Sequence, residues 1–347
     1  DNGIKFFAAD GFKLPDRVEA EIERLIGSGE LDAHRASGAD IGNAYRVKDA
    51  AGRYCVYLKS TLPRDVSLSG LKIVVDCGHG AAYQVAPEVL HELGADVVAI
   101  GTEPSGVNIN DGCGALHPDN VAKAVLSHGA DIGIALDGDA DRVILSDEKG
   151  NIVDGDAMLA ILADHMAGRG TLSHDTIVAT VMTNLGLERF LGERGITLER
   201  ASVGDRYVVG RMRAGGFNLG GEQSGHIVLL NHTTTGDGML TALQILTVMI
   251  QTQRRLSDLG GLLRRVPQLL RNLPVSEKPP IDSLPTVSAA IRDAEAALGT
   301  RGRVLVRYSG TEQKCRVMLE GDDDAEISNL ADGIVAAVQE AIGVSDP

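Results

Sequence analysis

Asp137-Gly138-Asp139-Ala140-Asp141-Arg142 is the stretch on which the reading of this 347-residue chain turns. Ile132-Gly133-Ile134-Ala135-Leu136 precedes it and Val143-Ile144-Leu145 follows. Both flanks are short, apolar and rich in β-branched residues, so they predict buried strands rather than helices. The loop between them gathers three carboxylates into one small volume. Like charges so close are costly unless a cation joins them. An all-oxygen donor set suits a hard ion, Mg²⁺ before Ca²⁺. Asp137, Asp139 and Asp141 are therefore the candidate metal ligands. A solvated acidic turn is the plainer alternative, but three alternating Asp between apolar strands argue against it. An EF-hand loop is the sharper rival. Counted from Asp137, Asp stands at positions 1, 3 and 5 and Glu148 at 12. Position 6, where that loop needs Gly, is Arg142, and the flanks are strands, so the EF-hand is rejected. An ion with few protein ligands keeps positions for water or phosphate, as Mg²⁺ does at phosphoryl-transfer sites.

Working outward, each flank belongs to a βα series. Strands are expected at 71–76, 96–100, 177–182, 196–201, 217–220 and 227–230, with helices at 15–26, 45–58, 85–93, 121–126, 157–166 and 187–191. A long helix runs to about residue 253. Cys77-Gly78-His79-Gly80-Ala81 follows a strand and tempts a dinucleotide-binding reading. Tyr83 stands where the third small residue should be, so a tight βα turn is preferred. Beyond Pro279-Pro280 the pattern changes to two helices, 287–298 and 325–342, with strands at 269–275, 303–308 and 315–319. The expected fold class is α/β: tandem similar α/β domains with mixed sheets, followed by a small α+β C-terminal domain. The expected boundaries are 1–62, remnant of a first domain; 63–165, with the metal loop; 166–267, with a sugar loop; and 268–347, binding phosphate.

Composition narrows the class. Hydrophobic residues make up 44%, charged residues 23%, and Trp is absent, which favours aliphatic α/β layers. A net charge of −15 argues against nucleic-acid and anionic-membrane partners, but not against a phosphorylated small substrate held by local cations. The four Cys lack CxxC spacing, so zinc and disulfides are not expected and a reducing cytoplasm is. No apolar run is long enough to span a membrane, and no signal peptide is recognised. The chain starts at Asp1, in a turn running into an apolar strand, so missing upstream sequence is expected.

Two other loops carry chemistry. Arg307-Tyr308-Ser309-Gly310-Thr311-Glu312 sets a permanent cation beside hydroxyls and an accessible backbone, as an anion cradle does; an ordinary hairpin with a surface Arg is the alternative. Gly221-Glu222-Gln223-Ser224-Gly225-His226 packs a carboxylate, an amide, a hydroxyl and an imidazole between glycines, which suits several sugar hydroxyls. His226 could move a proton near neutral pH, although a lone His starting a strand is more often structural. Lys5 alone says little. Arg206 begins a helix, where the dipole does not favour a cation, which points to a ligand.

Together with Asp1-Asn2-Gly3-Ile4-Lys5-Phe6-Phe7 and Val203-Gly204-Asp205-Arg206-Tyr207-Val208, these loops resemble the α-D-phosphohexomutase superfamily, in family order across nearly the whole chain. Gln223 and Gly204-Asp205-Arg206-Tyr207 point to its bacterial glucosamine branch. The resemblance implies four domains around a cleft. It implies interconversion of glucosamine 6-phosphate and glucosamine 1-phosphate through a phosphoserine, for UDP-N-acetylglucosamine synthesis. Mg²⁺ would be held by Asp137, Asp139 and Asp141, and glucose or glucosamine 1,6-bisphosphate would be activator and intermediate. Lys5 and Arg142 would flank the transferring phosphoryl group, and Lys5 and His226 would carry protons. Glu222 and Ser224 would bind sugar hydroxyls, Arg206 the substrate, and Arg307, Ser309, Gly310 and Thr311 the phosphate that is not reacting. A homodimer is compatible with the resemblance. Two features depart from it. The family's phosphoserine loop lies upstream of Asp1, so this chain alone is expected to be inactive and to hold Mg²⁺ weakly. Gln313 replaces a usual Pro. The phosphomannomutase/phosphoglucomutase branch, or a non-catalytic sugar-phosphate-binding fragment, remains the alternative.

Overall fold

The computed structural model describes residues 5–310 and 312–343. It divides into two units, residues 1–182 with 195–262, and residues 183–194 with 263–347.

The first unit holds two sheets. Strands β1 (Lys72–Asp76), β2 (Asp96–Ile100), β3 (Ile132–Leu136), β4 (Val143–Asp147) and β5 (Ile152–Val153) form one, in the order β2-β1-β3-β4-β5. β1 is parallel to β2 and β3, and β3 is antiparallel to β4. Every residue of β3 and β4 is buried, as their unbroken apolar character requires. Strands β6 (Thr176–Thr180), β7 (Thr197–Ala201), β8 (Leu219–Gly221) and β9 (Ile227–Leu229) form the other, in the order β7-β6-β8-β9. β6 is parallel to β7 and β8, and β8 is antiparallel to β9. The first four strands of each sheet thus repeat one topology. Each also has a helix pressed onto its third strand at a glycine. A Cβ on Gly133 would lie 2.7 Å from Val125 and 2.8 Å from Val121, and one on Gly220 would lie 2.6 Å from Met212. Duplication, too faint in sequence, is plain in the strand order. The acidic loop joins β3 to β4, and the Gly221 loop joins β8 to β9, so the two chemical loops hold equivalent places in the two sheets.

The helices largely follow expectation. Asp16–Ser28 starts directly after Pro15, and Gly238–Thr252 is capped by Asp237, whose Oδ1 accepts from the Leu240 amide at 2.9 Å. The helix expected over 45–58 is Ala50–Ser60 instead. Tyr45 and Val47 are exposed, so no buried face extends the helix toward them.

In the second unit, β10 (Gln268–Pro274), β11 (Gly302–Tyr308) and β12 (Lys314–Gly321) form an antiparallel sheet in the order β10-β12-β11. Helices Pro285–Leu298 and Asp324–Ile342 cover one face, burying Val287, Leu298, Val317, Leu319, Ile334 and Val338. This is the small α+β domain expected. Glu320, fully buried on β12, accepts from Arg303 at 2.5 Å and from the Leu185 amide at 2.9 Å, so its charge is compensated.

Candidate active site

The acidic loop of the first unit is folded by its own first residue. Asp137 is buried, and its Oδ1 accepts from the Arg142 amide at 3.1 Å. Its carbonyl accepts from Ala140 at 3.0 Å. Ala140 takes a φ of +61°, a left-handed conformation unusual for a residue with a side chain. The Gly238 amide, at the start of the long helix, holds it there by donating to the Ala140 carbonyl at 2.9 Å. The Gly-rich turn after β1 supports the loop from the other side. The Ala81 amide donates to the Gly138 carbonyl at 2.8 Å, and a Cβ on Gly80 would lie 2.3 Å from that oxygen. The turn that resembled a dinucleotide loop is thus a bed for the acidic loop.

The result is a cluster of carboxylates with the donor set to hold a cation. One carboxylate oxygen from each of Asp137, Asp139 and Asp141 lies within 4.8 Å of the others. The Lys5 ammonium occupies the mouth, 2.5 Å from both Asp139 and Asp141. A positive charge is thus already drawn to the place where a hard divalent ion would be held, and the donor set fits one. Burial, then the Asp141 charge, pushes the Asp137 carboxyl above the usual range. Asp141 is also penalised by burial, but His226 and Lys5 outweigh this and hold it well below the usual carboxylate range. Burial acts against the Lys5 charge as well, yet its two carboxylates keep its pKa raised. Arg142 lies 4.0 Å from both Asp137 and Asp141. Its Nε is buried and makes no hydrogen bond among the described residues, a donor suited to a phosphoryl oxygen.

The Gly221 loop is joined to this centre through the backbone. The Val143 amide donates to the Gly225 carbonyl at 3.1 Å. Within the loop, Glu222 Oε1 accepts from the Gly204 amide at 3.1 Å and Oε2 from Ser224 Oγ at 3.2 Å. His226 is buried, with Nδ1 3.5 Å from Asp141 Oδ1. Arg206 turns toward the helix Asp16–Ser28, pairing with Asp16 and, at 3.3 Å, with Glu19. A cavity of about 430 Å³ adjoins the triad, lined in part by Lys5, Asp139, Asp141, Tyr54 and Asp237.

The second unit carries the loop expected to be an anion cradle. Arg307 on β11 and Arg316 on β12 are cross-strand partners. Burial, then the Arg316 charge, lowers the Arg307 pKa, a strain that a bound anion would relieve. Arg316 Nη2 reaches Ser309 Oγ at 3.5 Å, and Lys278 Nζ donates to the Ser309 carbonyl at 2.7 Å. Among the described residues nothing lies within 4 Å of a Cβ built on Gly310. Thr311 lies outside the described residues, as do residues 1–4. Arg316 and Lys278 went unnoticed in the sequence. The signal for Arg316 was its alternation with Cys315 and Val317 on the strand that pairs with Arg307. Gln313 joins the backbone through its carbonyl, 3.1 Å from the Val275 amide, a bond that Pro would also allow.

Three family models match the chain in order: phosphoglucomutase/phosphomannomutase alpha/beta/alpha domain II at residues 53–150, alpha/beta/alpha domain III at 154–266, and the C-terminal domain at 270–337. The chain belongs to the phosphoglucomutase/phosphomannomutase family. Among its relatives, phosphoglucosamine mutase from Geotalea daltonii is 55% identical over 345 residues, covering 99% of this chain and 76% of the relative. The chain thus spans about three quarters of the length of that family member. Solved structures share the fold. A phosphoglucomutase/phosphomannomutase family protein from Burkholderia thailandensis superposes with a TM-score of 0.72 at 23% identity, over 94% of this chain and 70% of that one. N-acetylphosphoglucosamine mutase from Aspergillus fumigatus, in complex with GlcNAc-6P and magnesium, superposes with a TM-score of 0.69 at 21% identity, over 93% and 76%. The expected family, and with it the α/β architecture, is borne out.

Proposed function

We propose that this protein is a Mg²⁺-dependent mutase that interconverts glucosamine 6-phosphate and glucosamine 1-phosphate in the cytoplasm, with the 1,6-bisphosphate as intermediate. The observation that carries this is the seam between Val143 and Gly225, which locks a hard-cation loop to a loop of sugar-hydroxyl partners. A hard ion at Asp137, Asp139 and Asp141 supplies charge neutralisation for phosphoryl transfer. Lys5 and Arg142 place donors on either oxygen of the Asp141 carboxylate, where charge would gather on a transferring phosphoryl group. Glu222 and Ser224 receive the sugar hydroxyls. Arg206, released from Asp16 and Glu19, contributes a cation to the substrate. Arg307, Arg316, Ser309 and the Gly310 backbone hold a phosphate. The high identity to a phosphoglucosamine mutase and the presence of Gln223 favour the amino sugar. No helix among the described residues is long and apolar enough to cross a membrane.

The test is substrate preference. Protein expressed from its complete reading frame, with Mg²⁺, is expected to show a kcat/KM for glucosamine 6-phosphate about 10- to 100-fold above that for mannose 6-phosphate, one charge-assisted hydrogen bond's worth. A preference for mannose 6-phosphate would move the protein to the family's other branch.

A further inference from the structure

His226 immediately precedes β9 and is only 2% exposed. Its Nε2 accepts a hydrogen bond from the Gly236 amide at 3.2 Å. A backbone N–H can only donate, so Nε2 presents its lone pair and the ring's one proton sits on Nδ1. Nδ1 faces Asp141 Oδ1 at 3.5 Å. Asp205 Oδ2 lies 3.8 Å from Nε2, but it finds no proton there and is paired with Lys13 instead. Gly236 is what brings the amide so near, because a Cβ at that position would lie 2.5 Å from Cε1 and Nε2 of the ring. The cavity beside the triad is lined by Asp139, Asp141 and Gly236 but not by His226.

We propose that His226 is a positioning residue and not a proton carrier: the Gly236 amide fixes its tautomer, and the resulting Nδ1–H orients the Asp141 carboxylate toward the metal position. Nε2 is taken by the Gly236 amide, Nδ1 lies against Asp141 at 3.5 Å, and the ring is closed off from solvent, so neither nitrogen meets a sugar hydroxyl. A metal-ligating carboxylate held by a hydrogen-bond donor from behind presents its other lone pairs to the ion. This assignment uses the proposed function only in giving the metal to Asp141; the tautomer itself does not depend on it.

Two measurements on protein from the complete reading frame test the proposal. In a long-range ¹H–¹⁵N correlation spectrum of histidine-labelled protein, the His226 signals, assigned by their loss in a variant, are expected to show Nδ1 protonated and Nε2 bare. Protonation at Nε2, or at both nitrogens, overturns the proposal. Mn²⁺ affinity, followed by electron paramagnetic resonance, then separates two substitutions. Asn carries its amide where Nδ1 stands, and Gln carries it where Nε2 stands. His226→Gln is expected to weaken Mn²⁺ binding about 10-fold or more, the usual cost of losing a ligand's hydrogen-bond support, while His226→Asn stays within about threefold of the parent. Equal loss in both variants, or loss in neither, overturns the proposal. Either variant supplies the assignment, so the spectrum of the parent protein still decides where one of the two fails to fold. Both readouts stand apart from sugar-phosphate turnover, so failure of the proposed function is distinguishable from failure here.

Discussion

Asp141→Asn is expected to lower Mg²⁺-dependent kcat/KM by about 10³-fold, since the metal's charge stabilisation is worth several kcal/mol and each 1.4 kcal/mol is tenfold in rate. The substitution keeps the shape of the side chain and removes its charge. Asp141 is the hub of the centre: Lys5 lies at 2.5 Å, His226 at 3.5 Å and Arg142 at 4.0 Å. The amide gives up the pairing with His226 and Lys5 that outweighs burial of the charge, so a modest loss of stability is expected beside the loss of rate. Steady-state kinetics beside a thermal melt check both halves. A loss below tenfold, with the melt unchanged, would show that the carboxylate is not where the reaction draws its stabilisation. Collapse of the fold would show that Asp141 is structural.

Gly225→Ala is expected to destabilise the first unit by about 2–5 kcal/mol, the sum of a left-handed conformation forced on a residue with a Cβ and a steric clash in a packed site. Gly225 has a φ of +91°, and a Cβ there would lie 2.0 Å from the Val143 carbonyl oxygen. That oxygen is backbone, belongs to the first residue of β4, and cannot yield without pulling the metal loop with it. The expected readout is a lower denaturant midpoint with an unchanged slope, together with weakened turnover, because the seam joins the two chemical loops. Gly168→Ala is the control. It lies at the end of a helix with nothing within 4 Å of the new methyl group, and stability should be equal or slightly higher. Equal midpoints for Gly225→Ala and the control would mean that the seam is not rigid.

Much of this was legible from residue order, because the informative signals are local. Unbroken apolar runs around Asp137 gave β3 and β4. The alternation of acid and small residues gave the clustered carboxylates of Asp137, Asp139 and Asp141. The less legible features are contacts between segments far apart in sequence. That Gly80 and Ala81 form a bed for Gly138, rather than a nucleotide turn, depends on two loops meeting across the sheet. The equivalence of the acidic and Gly221 loops lies in strand order, which two diverged sequences conceal. Arg206 was read as a ligand because the helix dipole does not favour it. Its partners, Asp16 and Glu19, sit on a helix from the far end of the chain. His226 was legible as a residue with chemistry, but not as one closed off from solvent, because burial of a residue next to a strand depends on what packs over it, here Gly236.

The claim beneath all of these expectations is that the loop between β3 and β4 is the metal half of a phosphoryl-transfer centre. Mn²⁺ titration of protein from the complete reading frame, followed by electron paramagnetic resonance, tests it most directly. The prediction is one Mn²⁺ per chain, displaced by Mg²⁺ and lost when Asp139 and Asp141 are both changed to Asn. Binding that survives the double substitution, or no binding at millimolar Mn²⁺, would contradict it.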